Sequence, residues 1–115
     1  MTEERVGNLR GKPGALHHGI SMAHGEIILM TDADCVVPDG WVRMMVQQCR
    51  DKSIGLVASF TTIKKGTVFA QMQCVEWVLN HTMASAGIGL KQPLGCFGNN
   101  LAIRKTAYND IGGYE

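Results

Sequence analysis

Two aspartates one residue apart, Asp32 and Asp34 in the run Thr31-Asp32-Ala33-Asp34, have the types and spacing to do chemistry. Carboxylates so placed can share one hard cation, directly or through water. Mg²⁺ or Mn²⁺ takes such oxygen ligands and keeps waters and substrate phosphates in its shell. A metal held there would offset diphosphate charge and stabilise it as a leaving group. Two carboxylates this close repel, so a cation also helps both stay ionised. An isolated pair of this kind is more often a solvated turn. The apolar run Ile27-Ile28-Leu29-Met30 before it and the Pro38-Asp39-Gly40 turn after it weigh against that here.

The same letters fit a different chemistry. Asp-x-Asp-x-Val after an apolar strand also describes the nucleophile motif of haloacid-dehalogenase-like phosphatases, in which the first Asp attacks phosphorus. Those enzymes need a further acidic pair downstream, and none follows residue 34. The four histidines, His17, His18, His24 and His81, show no ligand spacing and are assigned to no metal. Cysteines at 35, 49, 74 and 96 form no C-x-x-C, so the usual structural zinc spacing is absent. Cys49 and Cys74 fall on apolar helical stripes and read as small core hydrophobes in a reducing compartment. Trp41 and Trp77 sit on similar stripes and read as core rather than as sugar platforms.

Composition narrows the class. Hydrophobic residues are 45% of the 115, enough for one packed domain. The net charge is +1 and basic residues cluster only in pairs, Lys64-Lys65 and Arg104-Lys105. Nucleic-acid binding needs a basic face or stripe, so no nucleic-acid partner is expected. The polar start Met1-Thr2-Glu3-Glu4-Arg5 is not a secretory signal. These features suggest a cytoplasmic location, or the cytoplasmic face of a membrane in a parent protein.

Hydrophobic spacing then places the elements that must hold the pair. Gly11-Lys12-Pro13-Gly14 opens a helix that runs to Gly25, with Pro13 suited to the first turn. Residues 27–30 read as a strand buried on both faces. Asp39 is the expected N-cap of a helix whose buried face is Trp41, Val42, Met45, Val46 and Cys49. Residues 54–60 form a second strand. Apolar positions 68, 72, 75, 79, 83 and 86 predict a long helix ending near Gly87-Ile88-Gly89. That stripe reads as core, with a membrane surface in the parent as its alternative. A strand at 101–103 and a helix at 104–111, closed by Gly112-Gly113, complete the order. Such alternation predicts an α/β layered domain with a mostly parallel sheet flanked by helices. Asp32 and Asp34 then fall past the carboxyl end of a strand, where open parallel sheets bind ligands.

Three segments together resemble family-2 glycosyltransferases. They are Asn8-x-x-Gly11-Lys12-Pro13-Gly14-Ala15-Leu16 with Ala23-x-Gly25-Glu26-Ile27-Ile28; Thr31-Asp32-Ala33-Asp34; and Gly98-Asn99-Asn100-Leu101-Ala102-Ile103-Arg104-Lys105-x-Ala107 with Ile111-Gly112-Gly113-Tyr114. The resemblance is closest to the membrane-associated, polysaccharide-synthase-like branch. It implies a GT-A, Rossmann-like fold and transfer of a sugar, with inversion, from a nucleotide-diphosphate sugar to a saccharide or lipid-linked acceptor.

By this resemblance Asp32 lies near the nucleotide ribose and Asp34 holds the Mg²⁺ or Mn²⁺ at the diphosphate. Lys12 is similar to the family's nucleotide-side lysine. Gly98, Asn99 and Asn100 border the acceptor or donor-sugar pocket. Arg104 either reaches the diphosphate or anchors the last helix. His17 departs from the family, which commonly has Asn there. The family's first strand and its general base, in a Glu-Asp pair, match nothing in residues 1–115. The expectation is therefore a central piece of a catalytic domain, truncated at both ends, with the base beyond Glu115 and an unpaired sheet edge open to self-association. Two other classes stay open: nucleotidyl transfer, with attack at phosphorus, and a non-catalytic nucleotide-sugar-binding or assembly module.

Overall fold

The computed structural model describes residues 11–64 and 66–114. Its elements are α1 (Gly11–Met22), β1 (Ile27–Thr31), α2 (Trp41–Gln48), β2 (Leu56–Ala58), α3 (Val68–Gly89), β3 (Asn100–Arg104) and α4 (Lys105–Asp110). The helix–strand order matches the expected one throughout. Helix ends follow local chemistry. Pro13 sits in the first turn of α1, where a missing N–H costs nothing. The Thr67 hydroxyl caps α3 by accepting from the Ala70 N–H at 3.3 Å. After α4, Gly112 and Gly113 adopt φ of +81° and +74°, and their N–H groups bond to the carbonyls of Asn109 and Tyr108.

The start of α2 differs from expectation. Gly40, not Asp39, is the N-cap, at φ 79° and with no side-chain cap bond. Pro38-Asp39-Gly40 works instead as a turn closed by the Trp41 N–H on the Pro38 carbonyl, 3.1 Å. Glycine is required there for the left-handed backbone.

The sheet also corrects an expectation. Its strand order is β1-β3-β2. The Ser59 N–H bonds to the Asn100 carbonyl and the Arg104 N–H to the Gly55 carbonyl, so β3 runs antiparallel to β2. The Lys105 N–H on the Glu26 carbonyl gives the same sense for β3 against β1. The described strands thus form a small antiparallel sheet and not the mostly parallel one expected. Alternation of helix and strand predicts crossovers, but it carries no information on a later strand that inserts between two earlier ones.

The chain divides into two compact units. The first comprises the described residues up to Leu29, Val37–Val57 and the chain from Ala102 on. Its core is Met45 and Cys49 of α2 against Ala102 of β3, with Ile27, Leu29, Trp41 and Val57 packed around them. Burial of a side chain the size of Met45 contributes about 1.5–3 kcal/mol, and Cys49, Ala102 and the partly buried neighbours contribute less. Val42 and Val46, expected on the buried face, are exposed. An eight-residue helix lying on a narrow sheet buries one row, 41, 45 and 49, rather than two.

The second unit comprises Met30–Val36 and Ala58–Leu101 and is built around α3. The expected buried stripe of α3 is its exposed one. Val68, Met72, Val75, Leu79 and Met83 are 59–74% exposed. The inward row is Cys74, Trp77, His81, Ala84 and Gly87, of which His81 and Gly87 are buried and the rest half-buried. Glu76 is the single charge on α3, so hydrophobic periodicity barely distinguishes its faces. Ring packing and a small residue decide instead. A Cβ on Gly87 would lie 2.7 Å from the Gln92 carbonyl oxygen and 3.0 Å from Leu94, so the chain after α3 can turn back tightly only over glycine. No described helix is long and apolar enough to cross a membrane.

Candidate functional site

Residue chemistry at the acidic pair is set by the turn that follows β1. The Cys35 N–H bonds to the Asp32 carbonyl at 3.1 Å, closing a four-residue turn with Asp34 at its third position. Asp32 is half-buried and Asp34 exposed. The Cys35 thiol lies 4.0 Å from Asp34 Oδ1. Among the described residues no group of three or more His, Cys, Asp and Glu side chains gathers for a metal. Two carboxylates without a third protein ligand do not make a closed cage. They suit a cation such as Mg²⁺, which characteristically takes one or two carboxylates and completes its shell with water and substrate phosphates.

The second unit also contains Gly98, Asn99 and Asn100, so it holds five of the seven expected site residues. Gly98 and Asn99 form the turn that leads into β3. Asn99 is buried, and its Oδ1 has no hydrogen-bond partner. Asn100 is the first residue of β3. Its Nδ2 donates to the Phe60 carbonyl at 3.0 Å, while its own carbonyl accepts from the Ser59 N–H at 3.0 Å. These bonds fasten the segment after β2 to the start of β3.

Lys12 and Arg104 belong to the first unit. Lys12 is exposed in the first turn of α1. Arg104 is buried and makes an ion pair with Glu26. It also donates from Nη2 to the carbonyls of Cys49 at 2.6 Å and Asp51 at 3.4 Å, and from Nε to Ile54 at 3.3 Å. A guanidinium engaged this way ties the end of α2 and the approach to β2 onto β3. These partners lie at the end of α2, before β1 and before β2, not on the last helix that Arg104 was expected to anchor. Lys105 extends this tie, its Nζ donating to the Ala23 carbonyl after α1.

Two residues gained meaning that sequence reasoning did not give them. His17 lies with Nδ1 2.9 Å from the Tyr108 hydroxyl, which joins α1 to α4 within the first unit. Burial and the neighbouring Tyr114 push the Tyr108 hydroxyl above its ordinary value. His81, set aside as no metal ligand, is the centre of a ring cluster. Its centroid lies 5.0 Å from Phe60, 5.2 Å from Trp77 and 4.8 Å from Phe97. The i, i+4 spacing of Trp77 and His81 was the available signal. Nothing in the spacing ties Phe60 and Phe97 to them. A shallow groove of about 520 Å³ on the outer face of α2, lined by Val42, Arg43, Val46 and Arg50 among others, contains none of the expected site residues.

Residues 4–112 match the family described as Glycosyl transferase family 2. The chain belongs to this family. Membership implies a GT-A fold, an activated-sugar donor carrying a nucleotide, and an acceptor for the transferred glycosyl group. No curated protein and no solved structure matches the chain. As a family-2 glycosyltransferase domain, the chain has its acidic turn and its Gly98-Asn99-Asn100 turn in one compact unit.

Proposed function

We propose that this domain takes part in transfer of a sugar from a nucleotide-diphosphate sugar to a saccharide or lipid-linked hydroxyl, with inversion at the anomeric carbon. One observation carries the reading: Asp32 and Asp34 sit in a closed turn directly after β1, in a chain whose residues 4–112 match a glycosyltransferase family. The acceptor oxygen attacks the anomeric carbon as the bond to the diphosphate breaks, so a nucleoside diphosphate leaves and configuration inverts. Asp32 binds on the ribose side and Asp34 on the diphosphate side, and together they would hold Mg²⁺ or Mn²⁺. When bound, that ion neutralises charge developing on the leaving group. Lys12, at a helix N-terminus, adds positive potential for the nucleotide phosphates. Gly98, Asn99 and Asn100 border the sugar pocket.

The hydroxyl proton needs a base within hydrogen-bond reach. No carboxylate within residues 1–115 is assigned that role. These 115 residues should therefore bind donor without turning it over, while a protein that includes the base turns it over. Product analysis of that longer protein tests the reaction class. Nucleoside diphosphate among the products supports glycosyl transfer; pyrophosphate would replace it with nucleotidyl transfer.

A second proposal concerns location. The exposed row Val68, Met72, Val75, Leu79 and Met83 is an apolar strip flanked in sequence by Lys64, Lys65 and Lys91. This supports attachment of α3 to the cytoplasmic face of a membrane, with its apolar strip at the headgroup boundary. Co-sedimentation with anionic liposomes, weakened by Met72→Asp with Leu79→Asp, is the expected result; no co-sedimentation would remove it.

A further inference from the structure

The outward face of α2 lacks the mixed charges of an ordinary solvated helix. Residues 41–50 contain two arginines and no acidic residue. Arg43 and Arg50 are both exposed, and neither pairs with a carboxylate among the described residues. Asp39 stands four residues before Arg43, but it lies outside the helix, beyond the left-handed Gly40. Asp51, next to Arg50, is held by the N–H and hydroxyl of Ser53 at 2.9 and 2.7 Å. Gly40 supplies no side-chain cap, so the positive end of α2 adds to the same field. Val42 is 57% exposed and Val46 40%.

Helical geometry orders these side chains. At about 100° per residue, positions 42 and 46 form one row and positions 43 and 50 the next, opposite Met45 and Cys49 in the core. With Gly40 and Gln47 they line the groove of about 520 Å³. Arg43 and Arg50 are two turns apart, about 10 Å along the axis. An occupant must set an apolar ridge on two valines and two carboxylates beside it, two turns apart. An amphipathic helix with acids at i and i+7 along an apolar row presents both, in the helix-in-groove mode. A second copy offers no such helix among the described residues. α1 and α2 carry no acid, α3 carries Glu76 alone and α4 Asp110 alone. An anionic bilayer fits less well, because interfacial helices bury a broad face of bulky side chains and this row has two valines. We propose that the outer face of α2 docks an acidic amphipathic helix of a partner protein, with its carboxylates on Arg43 and Arg50 and its apolar row on Val42 and Val46. The inference is independent of the donor reading, since no residue assigned to the nucleotide sugar lines the groove.

The test uses the full chain and fluorescein-labelled synthetic helices of about five turns. One carries Glu at i and i+7 beside a leucine row. Its isomer has the same composition with the glutamates at i and i+5, which places them on different faces. Fluorescence anisotropy should show the first binding at least tenfold tighter than the isomer. Arg43→Glu with Arg50→Glu should weaken it at least tenfold, and a helix with Lys in place of both Glu should bind that variant instead. Methyl signals of Val42 and Val46 should shift on titration, and that of Ile20, buried on α1, should not. Arg43→Gln with Arg50→Gln should also weaken binding, and it serves in place of the reversal should the latter not fold. Absent binding, equal binding of the two isomers, or binding that survives loss of both arginines overturns the proposal. Phosphatidylglycerol vesicles supply the remaining arm. Vesicle binding lost with the two arginines, with no helix bound, gives the face to a bilayer and equally overturns it.

Discussion

At the scale of single residues, the acidic turn and the buried arginine separate binding from folding. Asp34 is exposed and its carboxylate supports no described element. Asp34→Ala should therefore leave the melting temperature within a degree or two while abolishing any metal dependence of nucleotide-sugar binding. Arg104 behaves oppositely. Arg104→Met strands the carbonyls of Cys49, Asp51 and Ile54, each now served by the guanidinium. Urea denaturation should show a loss of roughly 1–3 kcal/mol. Lysine at 104 should not restore it, since one ammonium cannot reproduce a planar fork. A stable Arg104→Met variant that no longer binds donor would instead return Arg104 to the diphosphate. The sequence offered a diphosphate contact or an anchor for the last helix, and neither is this tie to α2 and the approach to β2. The partners that make the tie lie 50 to 55 residues away.

At the scale of elements, turns and glycines set what each helix can bury. Gly87→Ala places a Cβ against the Gln92 carbonyl and Leu94, and overpacking of this kind costs about 1–3 kcal/mol. Lys91, just after α3, has φ 57°, a left-handed conformation that a side chain resists. Lys91→Gly should raise stability by about 1 kcal/mol in the same denaturation assay. The α1–α4 pin carries a pH signature. Tyr108 has its hydroxyl pKa raised above 10.0 by burial first and then by Tyr114. The folded state thus holds that proton longer than the unfolded state does. The resulting stabilisation is present below pH 10.0 and is lost as pH rises through the folded value. Tyr108→Phe should flatten this alkaline decline in thermal melts. Element order and type were readable because apolar spacing and glycine punctuation are local. The inward face of α3 was not, since a helix with one charge offers no polar side to exclude. Sheet sense was not readable either, because antiparallel insertion of β3 depends on pairing between distant segments.

At the scale of the whole molecule, residue and element meet in the second unit. It holds the acidic turn, the Gly98-Asn99-Asn100 turn and the ring cluster around His81. The sequence motifs located the first two, since both lie where the chain leaves or enters a strand. We propose that the outer edges of β1 and β2, each with one neighbour among the described strands, open the domain to self-association. Sedimentation should show mass rising with concentration, and a clean monomer at high concentration would count against it. The central claim is that Asp32 and Asp34 bind a nucleotide-diphosphate sugar together with a divalent ion. Calorimetric titration of nucleotide-diphosphate sugars into the chain, with Mn²⁺ and then with chelator, tests it most directly. The account predicts binding that needs the metal and falls at least tenfold in Asp34→Ala; equal binding with chelator, or in Asp34→Ala, would contradict it.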